Sequence, residues 1–285
     1  MIEKGIHNGL GMEEYHAWKL DKANLIEGPI SCSMLKQFAK NPFAWLRAEP
    51  FKPSAAMQTG SLLDAALTEP DTLEARCVIS PYENYRTKEA QTWRDETLAE
   101  GKMIVTEESL ENAKACAHAV RSHEIAGAIL DGAEFQVGVV GDCGGIPAKC
   151  LMDIVPGRGP YEETLCDYKT TSGGLDDEAI RKTIGNFQYH WQAAFYRTLY
   201  NQVSEDRLCE QFAFIFQDPS TREVRVVTLA DDALALGTRA VGNAVQEFVT
   251  CAHRGIKSRY AKTNSTLDLL PYAAMNEDEQ LCHND

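Results

Sequence analysis

Three short apolar runs follow one another between residues 133 and 170, and turns rich in Gly and Pro separate them. The runs read AEFQVGVV, PAKCLMDIVP and ETLCDYKT. Short apolar runs bounded by such turns are typical of strands in a small antiparallel meander. The region therefore predicts a sheet in the second half of the chain.

Helical patterns lie on both sides of this predicted sheet. Before it, ISCSMLKQFAKNPFAWL, SAAMQTGSLLDAALTEP and a segment starting at Thr106 predict helices, whereas residues 80–102 predict a loop or lid. After it, we expect a long helix from about Asp177 to Tyr200, two more strands, and a last helix from about Asp231 to Arg254. This order of elements predicts an α+β or mixed α/β fold.

The length of 285 residues favours one domain with additions. We expect an N-terminal segment over residues 1–29 and a single domain over residues 30–260. Within that domain, residues 30–130 form a helical part and residues 131–254 form a core of sheet and helices. The polar, acidic sequence NEDEQLCHND indicates that residues 261–285 are a tail.

Charge and composition limit the classes of function. The formal net charge of −14 argues against a surface that coats nucleic acid or an anionic membrane, but it permits a local basic groove. The sequence has no apolar run of membrane-spanning length and no signal-peptide pattern at its start, so we expect a soluble, cytoplasmic protein without a membrane partner. Its nine cysteines lack C-x-x-C spacing, so we expect no iron–sulfur cluster.

Two acids and a lysine stand at the ends of neighbouring predicted strands. Side chains at i and i+2 share a face of a strand, so Asp167 and Lys169 project side by side. If the preceding strand pairs antiparallel, Asp153 comes near Asp167. Two close carboxylates need a cation, and a hard divalent ion such as Mg²⁺ or Mn²⁺ suits oxygen ligands. D-x-K alone more often marks a surface ion pair, so this alternative stays open.

The flanking sequence resembles a known group of enzymes. LMDIVP followed by CDYKTT resembles the D…(D/E)-x-K core of the PD-(D/E)XK nuclease superfamily. Four further stretches, ISCSMLKQFAKNPFAWL, AMQTGSLLDAALTEP, YRTKEAQTW and FQYHWQAAFYRTLY, resemble more narrowly the nuclease domain of RecE-type exodeoxyribonuclease VIII. The resemblance covers residues 30–217. It implies a restriction-endonuclease-like core, in which helices flank a central mixed sheet.

The resemblance implies roles for the residues of the D…D-x-K set. Asp153 and Asp167 would be metal ligands, and the backbone carbonyl of Tyr168 would add another. Lys169 would be the catalytic lysine, which positions or deprotonates the attacking water or neutralises charge on the phosphate. The implied cofactor is Mg²⁺, for which Mn²⁺ can substitute.

Four further residues are candidates for the site, and a purely structural role is the alternative for them. Gln192 and Tyr196 match the Q-x-x-x-Y motif of related nucleases, and their spacing puts both on one helix face, where they would hold DNA or the catalytic lysine. The alternative is that such residues only satisfy buried polar groups. Asp64 stands where many relatives carry the histidine of GxxxH, so it is a third candidate metal ligand or a surface acid. Glu134 opens the first strand of the sheet and is a candidate outer ligand.

Two basic segments are candidates for contact with DNA. One is PYENYRTKEAQTWRDE, which mixes aromatic and basic residues but also acids. The other is a group of basic residues near the first predicted helix. The candidates in the two segments are Arg86, Lys88, Trp93, Lys36, Lys40, Arg47 and Lys52.

The resemblance implies a Mg²⁺-dependent deoxyribonuclease, and more narrowly a 5′-to-3′ exonuclease on linear duplex DNA in phage-style homologous recombination. Its implied partners are a single-strand annealing protein of RecT type and further copies of the chain in a trimeric or tetrameric ring. The alternatives are an endonuclease or single-strand exonuclease of Cas4-like or RecB-like type, and an inactive member of the fold that binds DNA or a partner. An acidic surface that mainly docks a recombination partner is a further alternative.

Overall fold

The computed structural model describes residues 3–10, 12–49, 54–258 and 264. Lys52 and nearly all of the predicted tail over residues 261–285 lie outside the described residues. The elements follow one another in this order: β1 (Gly5–His7), α1 (Met12–Ala17), β2 (Ile30–Ser31), α2 (Cys32–Lys40), α3 (Pro42–Arg47), α4 (Ala55–Thr68), α5 (Pro70–Arg76), β3 (Cys77–Ile79), α6 (Lys88–Ala99), β4 (Met103–Val105), α7 (Glu107–Ser122), α8 (Glu124–Leu130), β5 (Glu134–Cys143), β6 (Ile146–Val155), β7 (Thr164–Thr170), α9 (Asp177–Asn186), α10 (Tyr189–Val203), β8 (Gln211–Gln217), β9 (Val224–Thr228) and α11 (Asp231–Arg254).

The predicted meander forms the centre of the main sheet. Strands β5, β6 and β7 pair antiparallel in sequence order, as the apolar runs predicted. The turn between β5 and β6 consists of Gly144 and Gly145, both with positive φ. A two-residue turn with positive φ at both positions matches the twist of the flanking strands, and glycine adopts it without a steric cost. This turn fixes the register of the hairpin that carries Asp153.

The sheet is mixed, because its later strands add in both directions. β8 pairs parallel with β7, and β9 pairs antiparallel with β8. In the described residues the strand order is β1-β5-β6-β7-β8-β9, and the short β2 pairs with β6. A central mixed sheet with helices on its faces is the fold class that the sequence predicted.

Helices cover both faces of this sheet. On β8, Phe212, Phe214 and Phe216 point into one core, which also contains apolar side chains of α2, α10 and α11. Ala213 and Ile215 alternate with them and point into a second core shared with α4, α7 and α8. Because β8 is buried on both faces, it reads as a continuous apolar run, as central strands of such sheets do.

The N-terminal segment is attached to the sheet through a buried lysine. Lys149 on β6 is 3% exposed. Its Nζ donates hydrogen bonds to the carbonyl oxygens of Tyr15 and Trp18, each at 2.5 Å, and lies 4.0 Å from the centroid of the Tyr15 ring. Tyr15 lies in α1, so the ammonium group satisfies carbonyls at the end of that helix.

Residues 80–102 differ from the sequence prediction of a loop or lid. They contain α6, whose first turn is capped by the Thr87 side chain, and this helix connects the parallel strands β3 and β4. Only Ala90 and Thr97 of α6 are buried. With so few buried positions the sequence has no clear apolar period, and this explains why the helix was missed.

The long helix predicted from about Asp177 to Tyr200 is two helices, α9 and α10. The break falls at Gln188, which has left-handed backbone angles of φ 53° and ψ 44°. The sequence pattern does not reveal this break, because apolar positions continue on both sides of Gln188. Among the helices that the structure describes, none is long and apolar enough to cross a membrane.

Candidate active site

The two strand acids face each other across β6 and β7. Ile154 pairs with Cys166, and the antiparallel register that follows places Asp153 opposite Asp167. The backbone N–H of Tyr168 donates to Oδ2 of Asp153 at 3.2 Å. The structure therefore brings together the two carboxylates that the sequence placed on neighbouring strands.

Asp167 is the most enclosed acid of the site. It is 1% exposed, and the amide Nε2 of Gln192 on α10 donates to its Oδ1 at 2.6 Å. Its Oδ2 forms an ion pair with Nζ of Lys169, two residues further along β7. Gln192 thus fixes the orientation of an acid, and its predicted contact with DNA or the lysine stays a prediction.

A third acid reaches the site from α4. Oδ2 of Asp64 accepts a hydrogen bond from Nε2 of Gln136 at 3.1 Å. Gln136 lies in β5 opposite Asp153, where its φ of 51° interrupts the pairing of β5 with β6. Oδ1 of Asp64 and Oε1 of Gln136 are buried without a hydrogen-bond partner in the described residues. Two buried oxygen acceptors without a donor are costly, and a bound cation would satisfy them.

The charges of the site perturb one another. Burial raises the pKa of Asp153 well above its usual value, and the negative charges of Asp167 and Asp64 raise it further. Burial likewise raises the pKa of Asp64 to about 6, although Lys169 acts in the opposite direction. Burial lowers the pKa of Lys169, but Asp167 and Asp153 outweigh it and raise the pKa above the usual value. One lysine thus stands against three acids, of which Asp167 is buried and Asp64 and Asp153 are partly buried, and a bound cation would stabilise their charged forms.

The donor atoms fit a hard divalent cation. Within the described residues, no three side chains of His, Cys, Asp or Glu already lie in a metal-binding arrangement. Mg²⁺ keeps several waters and commonly binds through one or two carboxylates, so two facing acids and a backbone carbonyl are sufficient for it. Asp153, Asp167 and the carbonyl of Tyr168 would hold such an ion, and Asp64 would add a further oxygen. Their role as ligands stays a prediction.

Two residues near the site, Gln136 and Tyr189, were not among the sequence candidates. Gln136 holds Asp64, and its position opposite Asp153 in the predicted hairpin was the available signal. Tyr189, the first residue of α10, has its ring centroid 5.2 Å from Nζ of Lys169. It precedes Gln192 by less than one helical turn, so the helix that carries the Q-x-x-x-Y motif also presents this ring.

Several sequence candidates lie apart from the acids. Glu134 is exposed at the beginning of β5, two residues before Gln136, and no described contact joins it to the acids. Tyr196 packs in the first core with its ring edge against Phe212, at 6.4 Å between centroids. Lys40 at the end of α2 and Arg47 at the end of α3 are both exposed. Their predicted roles stay predictions.

The aromatic and basic segment around α6 packs partly on itself. Trp93 stacks on Tyr85 with ring centroids 6.5 Å apart, and Arg94 lies 5.5 Å from the Tyr85 centroid. Arg86 and Lys88 are exposed. The rings therefore contact one another, and the two cations remain available to solvent.

The arrangement of acids, lysine and sheet identifies the class of protein. A mixed sheet flanked by helices that presents a D…D-x-K set on adjacent antiparallel strands defines a domain of the PD-(D/E)XK nuclease superfamily. The sequence model of the PDDEXK-like domain of unknown function (DUF3799) matches residues 31–266, so the chain belongs to that family. The matched range includes every residue of the candidate site.

Solved structures agree with this fold. A crystal structure of a presumed exonuclease from Eubacterium rectale is similar with a TM-score of 0.59 and 15% sequence identity, over 93% of this chain and 97% of that chain. At this identity the likeness shows the fold alone. A crystal structure of SSO0001 matches with 13% identity and a TM-score of 0.28, over 67% of this chain and 86% of that one, which is too low to support an argument. No curated protein is significantly similar to the sequence.

Proposed function

We propose that this chain is a Mg²⁺-dependent deoxyribonuclease that hydrolyses DNA phosphodiesters. The observation that carries the proposal is the register of β6 and β7, which sets Asp153 opposite Asp167 with Lys169 paired to the latter. Membership of the PDDEXK-like family supports a nuclease. Three neighbouring acids beside one lysine support the need for a divalent cation.

Each residue of the site has a definite part in this reaction. Asp153, Asp167 and the Tyr168 carbonyl would hold Mg²⁺, with Asp64 as a further oxygen ligand. When bound, Mg²⁺ polarises the phosphate and lowers the pKa of an attacking water. Gln192 keeps Asp167 in one orientation through its 2.6 Å hydrogen bond. Lys169 neutralises negative charge that develops on the phosphate.

The narrower activity that we propose is 5′-to-3′ exonuclease action on linear duplex DNA, of RecE type. Its support is the resemblance over residues 30–217, together with the fold shared with the presumed exonuclease from Eubacterium rectale. The same resemblance supports a role in phage-style recombination beside an annealing protein of RecT type, and a ring of three or four copies. We place the enzyme in the cytoplasm, where its DNA substrate is present.

Cleavage of end-labelled DNA tests the proposal. Linear duplex DNA is labelled separately at its 5′ and 3′ ends and incubated with the unchanged protein or with Lys169→Ala, in Mg²⁺ and in EDTA. We expect metal-dependent release of label from the 5′ end first, and its loss in the variant.

Other substrates separate the alternatives. Cleavage of circular DNA would indicate an endonuclease, and preference for single strands would indicate a Cas4-like or RecB-like enzyme. If no DNA is cut with any divalent metal, the hydrolase proposal is refuted. Binding without cleavage would then favour an inactive member of the fold that binds DNA or a partner.

A further inference from the structure

An exposed aromatic ring stands at the break between α9 and α10. Phe187 is 62% exposed, and its ring stacks on Tyr189 with centroids 5.6 Å apart and planes 18° apart. Gln188 between them has φ 53° and ψ 44°, a conformation that costs about 1 kcal/mol for a residue other than glycine. Such strain persists where the surroundings impose it. The break brings the two rings into a parallel stack at the surface.

This stack is connected to the acids of the candidate site. The Tyr189 centroid lies 5.2 Å from Nζ of Lys169 and 5.6 Å from the Phe187 centroid, so Tyr189 is next to both the lysine and the exposed ring. Lys36 on α2 lies on the same stack, with Nζ 5.9 Å from the Tyr189 centroid. Lys36 also donates to the carbonyl of Phe187 at 3.0 Å. The exposed ring thus has a cation beside it and the proposed catalytic lysine one ring away.

A cation next to an exposed flat ring matches the two chemical parts of a nucleotide. The ammonium group suits a phosphate, and the ring suits the face of a base. A base within a duplex has both faces covered by its neighbours, whereas an unpaired base has a face to offer. Every base has such a face, so stacking of this kind carries little sequence preference.

We propose that Phe187 is a stacking platform for an unpaired base of the DNA strand that enters the active site, and that Lys36 contacts a phosphate of the same strand. The proposal rests on the proposed function, because the acids and Lys169 define where that strand lies. It adds a preference for DNA ends whose last bases are unpaired.

Binding of single strands with single abasic positions tests this platform. A short fluorescein-labelled single strand, and the same strand with one abasic residue at each position in turn, are titrated with the whole protein in Ca²⁺ and in EDTA. Anisotropy gives the dissociation constants. For the unchanged protein we expect one abasic position to weaken binding by about fivefold or more, because one stacked base is lost.

The variants separate stacking from general effects. Phe187→Ala should weaken binding of the intact strand by a similar factor and become insensitive to the abasic position, while Phe187→Trp should keep both properties. Lys36→Ala should weaken binding of all strands alike and reduce the dependence on salt. Leu208→Ala is the matched control, because Leu208 is also 62% exposed but lies far from Lys169. Leu208 precedes β8, and the first residue of β8 pairs with Thr164, at the opposite end of β7 from Lys169.

The outcomes distinguish this inference from the proposed function. In one outcome the unchanged protein cuts DNA, and Phe187→Ala binds as tightly as the unchanged protein and is equally sensitive to the abasic position. This outcome would refute the platform and leave the nuclease proposal intact. Phe187-dependent binding without cleavage in any metal would support the platform and refute hydrolysis. A protein that neither binds nor cuts DNA would refute both.

Discussion

Lys149 and Lys169 lie on neighbouring strands of one sheet, and both side chains are largely withdrawn from solvent, yet their surroundings differ in charge. Lys169 is paired with the carboxylate of Asp167 and lies near that of Asp153, which raise its pKa. Lys149 donates to the neutral carbonyls of Tyr15 and Trp18, and burial lowers its pKa to about 8. The carbonyls and the Tyr15 ring act against that decrease, because they stabilise the ammonium group.

The difference shows how a buried lysine can be assigned to function or to folding. Acids around Lys169 exceed its charge and leave a net negative site that a metal and a phosphate can use. Carbonyls around Lys149 are neutral and supply no site for a metal or a phosphate, and they belong to the N-terminal segment, so this lysine serves attachment of that segment. Matched changes at the two positions should therefore affect different measurements.

The largest effect is expected for Lys169→Ala on DNA cleavage. The rate in saturating Mg²⁺ should fall about 10³-fold, because the variant loses the cation that faces the developing charge. Initial rates on labelled linear duplex measure it. Lys149→Ala is the control and should keep its rate per folded molecule. Equal losses in the two variants would contradict the assignment of different roles.

The next effect is expected for Lys149→Ala on stability. The free energy of unfolding should fall by about 2–4 kcal/mol, because the lost methylenes leave a cavity and two carbonyls lose their donor. These losses exceed the relief from no longer burying an ammonium group. Urea unfolding followed by circular dichroism measures the change. A variant as stable as the unchanged protein would show that the N-terminal segment is held mainly by other contacts.

A smaller effect is expected for Asp64→Asn on the response to metal. In EDTA the melting temperature should rise by a few degrees, because a carboxylate that lies close to two other acids is removed while Gln136 keeps its acceptor. The further increase on addition of Mg²⁺ should be smaller than in the unchanged protein. Thermal unfolding in EDTA and in Mg²⁺ gives both values. An unaltered Mg²⁺ response would remove Asp64 from the set of ligands.

The smallest effect is expected for the pH dependence of stability. The pKa of Lys149 is about 8 in the folded protein, below the ordinary value for an unfolded chain, so the unfolded chain holds more protons between these values. Stability should therefore rise with pH there, by about 1 kcal/mol between pH 8 and 9 from this group. The difference in unfolding free energy between the unchanged protein and Lys149→Ala, measured at several pH values, isolates the contribution of Lys149. A difference that is constant with pH would indicate that the carbonyls hold the pKa near its ordinary value.

The meander and its acids were predictable from the sequence because they depend on local rules. The alternation within β7 put Asp167 and Lys169 on one face, and the Gly144–Gly145 turn gave β5 and β6 a hairpin register. The antiparallel order then brought Asp153 opposite Asp167. None of these steps needed knowledge of distant contacts.

Other parts of the site depend on contacts that no local pattern encodes. Gln136 meets Asp64 from a position 72 residues away, and Lys149 reaches Tyr15 across 134 residues. The break between α9 and α10 lies at the left-handed backbone of Gln188, and the apolar pattern continues through it. The half-exposed α6 has too few buried positions to show a period. Distance along the chain and weak amphipathicity explain these misses.

The order of the site residues along the chain has a consequence for biosynthesis. Asp64 comes from α4, Asp153 and Asp167 come from β6 and β7, and Gln192 comes from α10. Because β7 also needs β8 beside it, the ribosome must release the segment through β8 before the acids can take their final positions. A partly synthesised chain that ends before β8 would therefore lack the complete candidate site.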